Sequence, residues 1–266
     1  MASFSIVNNI SAANAEANLT TTNLNLGKTL TALSSGLRIN SSGDDAAGLA
    51  VANSYRSDVA VLNQGIQNAN DGLSTLQIKD GALNNISNLL DRLSTLATES
   101  ASSSSSVNRT TLDNEFQSVL SEIDREASVA GLNASGSFSV FVSNSGTNGT
   151  ISGNIGEADT TGLAINTLSI ATASGAATAV STIATAVGTL GDVQGSVGQI
   201  ENQLNYAISL SQTQAVNTQA AESRLRDANI AQESASLTQY QILTQSGISA
   251  LAQANTTSSS VLKLLQ

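Results

Sequence analysis

Few residues in this chain are equipped for covalent or acid–base chemistry, and the foremost candidates are two adjacent carboxylates, Asp44 and Asp45. Paired acids can share a proton, hold a cation or divide the roles of acid and base. The sequence gives them no partner of the usual kind, because it contains no histidine and no cysteine. That removes thiolate nucleophiles, disulfides, His-ligated zinc and every His-based triad. Asp44 and Asp45 follow a Gly- and Ser-rich stretch and precede an apolar periodic run. They therefore read as a helix start, where Asp44 caps free N–H groups and both acids face the positive end of the helix dipole. Two further features concern modification. Ser102, Ser103, Ser104, Ser105 and Ser106 form a flexible turn whose hydroxyls are open to O-linked sugars. Asn148-Gly149-Thr150 fits the N-glycosylation pattern and equally a hairpin turn. The expectation is a non-enzyme, with no catalytic residue, no metal and no cofactor.

The elements that would carry these residues are mostly helices. From Met1 to Leu37 only Glu16 and Lys28 are charged, while Leu19, Leu26, Leu30, Leu33 and Leu37 recur at helical intervals. That stripe predicts a first helix from about Ser5 to Gly36, with a face suited to a coiled-coil seam. Gly36 to Gly43 reads as a connector. Leu62, Ile66, Ala69, Leu73 and Leu76 alternate spacings of four and three, and Leu83, Ile86, Leu90, Leu93 and Ala97 resume the pattern. One helix from Asp44 to about Ser100 would be roughly 85 Å long at 1.5 Å per residue. Gly65, Gly72 and Gly81 weaken it locally and mark places for a bend. Ser100 to Ser106 reads as a turn, and a shorter helix on Leu112, Phe116, Val119 and Ile123 ends near Gly131. Phe138, Val140 and Val142 then alternate ahead of an Asn/Gly-rich run, predicting a hairpin with those three residues facing the helices and the loop Ser143–Gly149 facing solvent. Residues 156–177 are assigned loosely to strand and loop. Helical spacing returns with Val180, Ile183, Val187 and Leu190, continues through Val193, Val197, Ile200 and Leu204, and is read as persisting to the C-terminus.

Composition agrees with long helices. Proline is absent from the 266 residues, where an average chain of this length carries roughly 13. Aromatic residues make up only 3%, so the apolar content suits thin helix–helix seams. The net charge is −10, and 19 of the 20 acidic residues lie between Asp44 and Glu233. Such a chain repels a phosphate backbone, which argues against nucleic-acid binding. Ser234 to Leu262 is uncharged but studded with Gln, Ser, Thr and Asn, so no membrane span is expected there. The start, Met1 to Ser5, shows neither a basic n-region nor an apolar h-region, so no cleavable secretory signal is expected. Two nearly uncharged, striped ends are unfavourable in water and seek burial against each other and against other copies. The fold class expected is mainly α: an elongated antiparallel helical bundle or coiled coil with a small β-hairpin insert. Residues 1–40 with 226–266 would form a terminal coiled-coil domain, and 41–225 a rod-shaped helical domain with the insert at about 134–177.

Two motifs carry a resemblance. Leu33 to Val59 reads LSSGLRINSSGDDAAGLAVANSYRSDV and is followed by QNANDGLSTLQIKDGA at Gln67 to Ala82. Ala221 to Ala231 reads AESRLRDANIA and is followed by QILTQSGISALAQAN at Gln241 to Asn255. In this order, one at each end, they resemble the bacterial flagellins, subunits of the flagellar filament. The resemblance covers about residues 1–133 and 178–266. The middle is short, like the minimal form without large outer domains, and the tail Thr256 to Gln266 lacks the proline common before the final apolar cluster.

The resemblance implies a structural subunit that self-assembles into an extracellular filament for swimming. The alternative within the same class is a hook–filament junction protein. It implies terminal segments that are disordered in the monomer and line the inner tube of the polymer. The polymerisation seam would then include Leu19, Leu26, Leu30, Leu33, Leu37, Leu237, Ile248 and Leu251. It also implies an export chaperone binding the tail at Ile242, Leu243, Val261, Leu262, Leu264 and Leu265, contact with filament cap and hook–filament junction proteins, and sugars on the serine run. Arg92, Leu96 and Glu115 match positions implicated in recognition by a vertebrate innate immune receptor. Ser94 and Thr95 stand where strongly recognised flagellins carry an Arg-Glu pair, which points to weak recognition. The plainer reading of Arg92 and Glu115 is solvated helix charges, with Leu96 packed between helices.

Overall fold

The computed structural model describes residues 8–102, 108–144 and 149–264, with side chains described to residue 256. Ser103, Ser104, Ser105, Ser106, Asn148 and Leu265 lie outside the described residues, as do the side chains of Val261, Leu262 and Leu264. The described elements run α1 (Ile10–Ser35), α2 (Ala46–Ala101), α3 (Arg109–Val129), β1 (Gly136–Phe141), β2 (Thr150–Ile155), α4 (Ala173–Arg226) and α5 (Ile230–Leu264). The architecture is mainly α with one two-stranded antiparallel sheet. By contacts the chain divides into two compact units: the described parts of Met1–Ser57 with Thr218–Gln266, and Asp58–Asn217.

In the first unit α1 packs against α5. Asn9 caps the start of α1 by accepting from the Ala12 N–H at 3.0 Å. Gly36 ends it at φ 72°, in the left-handed region that favours glycine, and its N–H returns to the Ala32 carbonyl at 2.9 Å. The connector to α2 is organised by the two acids, with their roles divided. Asp45, not Asp44, caps α2, its Oδ1 accepting from the Gly48 N–H at 2.9 Å. Asp44 instead folds the connector, its Oδ2 accepting from the Ser41 N–H at 3.0 Å, the Ser41 hydroxyl at 3.0 Å and the Asn40 N–H at 3.3 Å. The Ser41 and Asn40 donors hold the Asp44 carboxyl below its ordinary value. Both carboxylates are thus engaged by backbone, which is what a loop-and-cap role requires.

The second unit holds the main apolar core. The spacings expected on α2 are realised: Leu76, Leu83, Ile86, Leu90 and Leu93 are buried there with Phe116 and Ile123 of α3 and Ile183, Leu190, Val197 and Leu204 of α4. Val187 departs from the expectation: it is exposed, and Ala186 beside it is buried. α3 ends as expected, with Gly131 at φ 63°. Lys79 of α2 secures that end, its amine donating to the carbonyls of Ala130 at 2.9 Å and Gly131 at 2.7 Å. Burial lowers the Lys79 pKa.

The hairpin pairs Phe138 with Gly153 and Val140 with Ile151. Val140 and Val142 are buried and Phe138 half-buried, the inward face expected. Gly65 and Gly72 do not break α2, which is helical throughout Ala46–Ala101, and they give the hairpin room. A Cβ on Gly72 would lie 2.8 Å from Val140 Cγ2, and one on Gly65 would overlap the Val142 carbonyl. The described ends of the loop are less open than its composition suggests. Ser143 and Gly149 are buried, and Asn144 donates to Asp58 of α2 at 2.7 Å.

Three expectations fail in this region or beyond it. Residues 156–172 form no strand; they turn, and α4 begins already at Ala173. α3 pins this segment: Asp113 accepts from the Ile170 N–H at 2.7 Å, Asp124 from the Thr160 N–H at 2.9 Å, and Gln117 donates to the Leu168 carbonyl at 2.9 Å. Ser100 belongs to α2 and not to a turn; it is buried and donates to the Ile170 carbonyl at 2.6 Å. Nor does the C-terminal helix run unbroken. It stops at Arg226 and restarts at Ile230, where Asn229 Oδ1 accepts from the Ala231 and Gln232 N–H groups at 3.1 and 3.3 Å.

Candidate assembly surface

α1 and α5 run antiparallel, as three contacts along them show. Asn9 Nδ2 donates to the Ala254 carbonyl at 3.0 Å, Leu19 lies against Gly247, and Leu37 bridges to Asp227. The less exposed positions of α1 include Ala12, Ala15, Leu19, Thr22, Leu26, Thr29 and Leu33, alternating spacings of three and four, with Asn25 and Ala32 beside them. Those of α5 include Glu233, Leu237, Tyr240, Thr244, Gly247, Leu251 and Ala254, with the same alternation and with Ser236 beside them. This is heptad packing of one helix on the other.

The expected stripe therefore lies only partly in the seam between the two helices. Leu19, Leu26, Leu33, Leu237 and Leu251 lie on the faces that α1 and α5 turn to each other, and Leu37 sits half-buried just past α1. Leu30 and Ile248 lie outside that seam, 48% and 50% exposed. With them are Ile10, Leu24, Ile242 and Leu243, all exposed apolar side chains. The two-helix pair thus satisfies one apolar face on each helix and leaves further apolar side chains uncovered around the rest of the pair. Charges that would solvate the outside of the pair are few: α1 carries Glu16 and Lys28, and α5 carries Glu233 and Lys263. An apolar surface of this kind marks a contact with another chain more often than a free surface.

The remaining sequence candidates sit elsewhere, in the second unit. Arg92 and Glu115 pair across α2 and α3, with Arg92 Nε donating to Glu115 Oε1 at 3.1 Å and Nη2 completing the ion pair. Both are half exposed, whereas Leu96 is 1% exposed and part of the core. Of the serine run, only Ser102 is described, in the bend after α2, where its carbonyl accepts from Arg109 Nη2 at 2.9 Å. One feature of this unit was not anticipated from the sequence. Glu201 on α4 has a buried Oε1 with no partner among the described residues. Burial, and secondarily the Asp80 charge, raises its pKa.

Residues 6–138 match the family described as the bacterial flagellin N-terminal helical region, and residues 180–265 match the bacterial flagellin C-terminal helical region. The chain belongs to the bacterial flagellin family. It is similar to flagellin FlaB1 of Treponema pallidum (strain Nichols), at 34% identity over 284 residues covering 98% of this chain and 99% of the relative. The flagellar filament 33 kDa core protein of Treponema phagedenis is 35% identical over 285 residues, with the same coverage. The flagellin of Halalkalibacterium halodurans is 34% identical over 271 residues, again covering 98% and 99%.

Proposed function

We propose that this chain is a structural subunit that self-assembles into the bacterial flagellar filament and serves swimming motility. The observation that carries the reading is the set of apolar side chains left exposed around the α1–α5 pair, Leu24, Leu30, Ile242, Leu243 and Ile248, on helices nearly free of charge. Other copies of the chain would cover it, so residues 1–40 and 226–266 form the inner, terminal domain of the polymer. The acidic remainder, 41–225, faces outward and keeps the polymer soluble. Membership of the flagellin family supports the same arrangement.

The finer partners belong to the same proposal. Before assembly an export chaperone takes the tail, including Ile242 and Leu243, and the chain leaves the cell through the flagellar export apparatus. Filament cap and hook–filament junction proteins contact it at the two ends of the polymer. Recognition of Arg92, Leu96 and Glu115 by a vertebrate innate immune receptor would be weak, since the two charges already engage each other and Leu96 is buried. The test is bulk assembly of the purified protein, followed by electron microscopy and sedimentation. Long filaments formed without a seed support a filament subunit; a protein that only caps or joins other filaments would point to the hook–filament junction reading.

A further inference from the structure

Two helix breaks in the first unit are cross-bonded to each other. α1 gives way to the connector at Gly36, and α4 gives way to α5 at Asp227 to Asn229. The Arg38 N–H donates to the Arg226 carbonyl at 2.6 Å, and the Ala228 N–H donates to the Gly36 carbonyl at 2.9 Å. These bonds flank the antiparallel bridge between Leu37 and Asp227. The side chains repeat the exchange. Arg38 Nη2 donates to the Leu225 carbonyl at 2.8 Å, and Arg226 Nε donates to the Ile39 carbonyl at 3.3 Å. Each arginine therefore satisfies a carbonyl of the opposite break. Arg226 is only 17% exposed, and Glu222 at 4.0 Å balances its charge.

A helix break leaves orphan carbonyls and N–H groups that need partners. Here each break supplies the partners of the other, so neither is satisfied alone. We infer that the two breaks are a single joint, closed by reciprocal arginine-to-carbonyl bonds, which makes α1 and α5 dock and release as a pair and not one at a time. Ordering α1 without α5 would leave the Arg38 N–H and the Gly36 carbonyl unpaired; ordering α5 alone would do the same to the Ala228 N–H and the Arg226 carbonyl. The joint lies just beyond the heptad seam, where the packing of side chains alone would not couple the two chain segments.

The inference is independent of how copies pack in a polymer, and it is tested on the full chain in whichever state orders the ends. Hydrogen exchange is followed by mass spectrometry in peptides spanning 36–40 and 225–229, for the unaltered chain and for Arg38→Gln, Arg226→Gln and the double variant. Each single substitution should speed exchange in both peptides by about tenfold, the scale of one lost hydrogen bond. The double variant should go little further. Arg224→Gln removes an exposed charge from the same turn and should change neither peptide. Where a Gln variant does not fold, Arg38→Lys and Arg226→Lys keep the charge but lose the guanidinium geometry, and should loosen both peptides to a smaller extent. Loosening confined to the substituted break, additive effects in the double variant, or equal loosening by Arg224→Gln would each overturn the single joint.

Discussion

Replacing Gly65 of α2 with alanine sets two opposed effects against each other, and the structure decides the sign. In a helix interior alanine is favoured over glycine by about 1 kcal/mol, because glycine loses more backbone freedom. At Gly65 the new methyl group would overlap the carbonyl of Val142. That obstacle is backbone, held by hydrogen bonds from the Val142 and Ser143 N–H groups to the Gly149 carbonyl at 2.7 and 3.1 Å and by the Asn68 amide on the Phe141 carbonyl at 3.2 Å. It cannot rotate away, so the upper end of the overpacking range applies, about 3 kcal/mol. The net expectation is a loss of about 2 kcal/mol. Gly81, sixteen residues on in the same helix, has nothing within 4 Å of its Cβ position, so Gly81→Ala should gain about 1 kcal/mol. Thermal unfolding followed by circular dichroism should then show Gly65→Ala melting roughly 4–8 °C lower and Gly81→Ala roughly 2–4 °C higher than the parent. A Gly65→Ala protein as stable as the parent would refute the docking of the hairpin on this face.

The remaining predictions concern the seam, the ends, a charge and a cap. Leu33→Asp places a charge inside the α1–α5 pair and Leu30→Asp places one on its outer face; both should abolish filaments, at a cost of several kcal/mol per subunit for an unpaired buried charge. Hydrogen exchange in Leu19–Leu37 and Leu237–Leu251 should be fast in the monomer and slow in the filament, because an isolated pair buries too little to offset ordering; equal strong protection in both states would contradict this. Glu201 has a folded-state pKa above its ordinary value, so its stabilising share is present at low pH and is lost as pH rises through the folded pKa. Glu201→Gln should therefore unfold at higher urea than the parent at pH 7, with the difference closing as pH falls below the ordinary carboxylate range. Lys79→Met removes both donors to the end of α3 and should cost about 1–2 kcal/mol in the same assay.

Much of the fold was legible because its core repeats. The four-three spacing of Leu83, Ile86, Leu90, Leu93 and Ala97 on α2 leads straight to buried residues, and the alternation of Phe138, Val140 and Val142 gives the inward face of the hairpin. The seam was harder to read. Threonines occupy Thr22 and Thr29, positions that a search for leucine passes over, so Leu30 stood in for the missing apolar residues. The structure puts Thr29 inside and Leu30 outside. Residues 156–172 carry no period because α3 side chains hold their backbone across long sequence separations, an arrangement that local pattern does not encode. Gly65 and Gly72 were read as weak points for the same reason: what they make room for lies some 70 residues away, in β1 and the residue after it. The break after Arg226 did leave a signal, Asn229 followed three residues later by Gln232, the spacing of a capping box.

The central claim is that copies of this chain cover the apolar side chains left exposed around the α1–α5 pair. A cryo-electron microscopy reconstruction of filaments grown from the purified protein tests it most directly. The account predicts α1 and α5 innermost in the filament, antiparallel within each subunit, with Leu24, Leu30, Ile242 and Ile248 buried between subunits and the Phe138–Val142 strand still packed on α2. A filament in which those four side chains face solvent, or in which the subunits join only through residues 58–217, would contradict it.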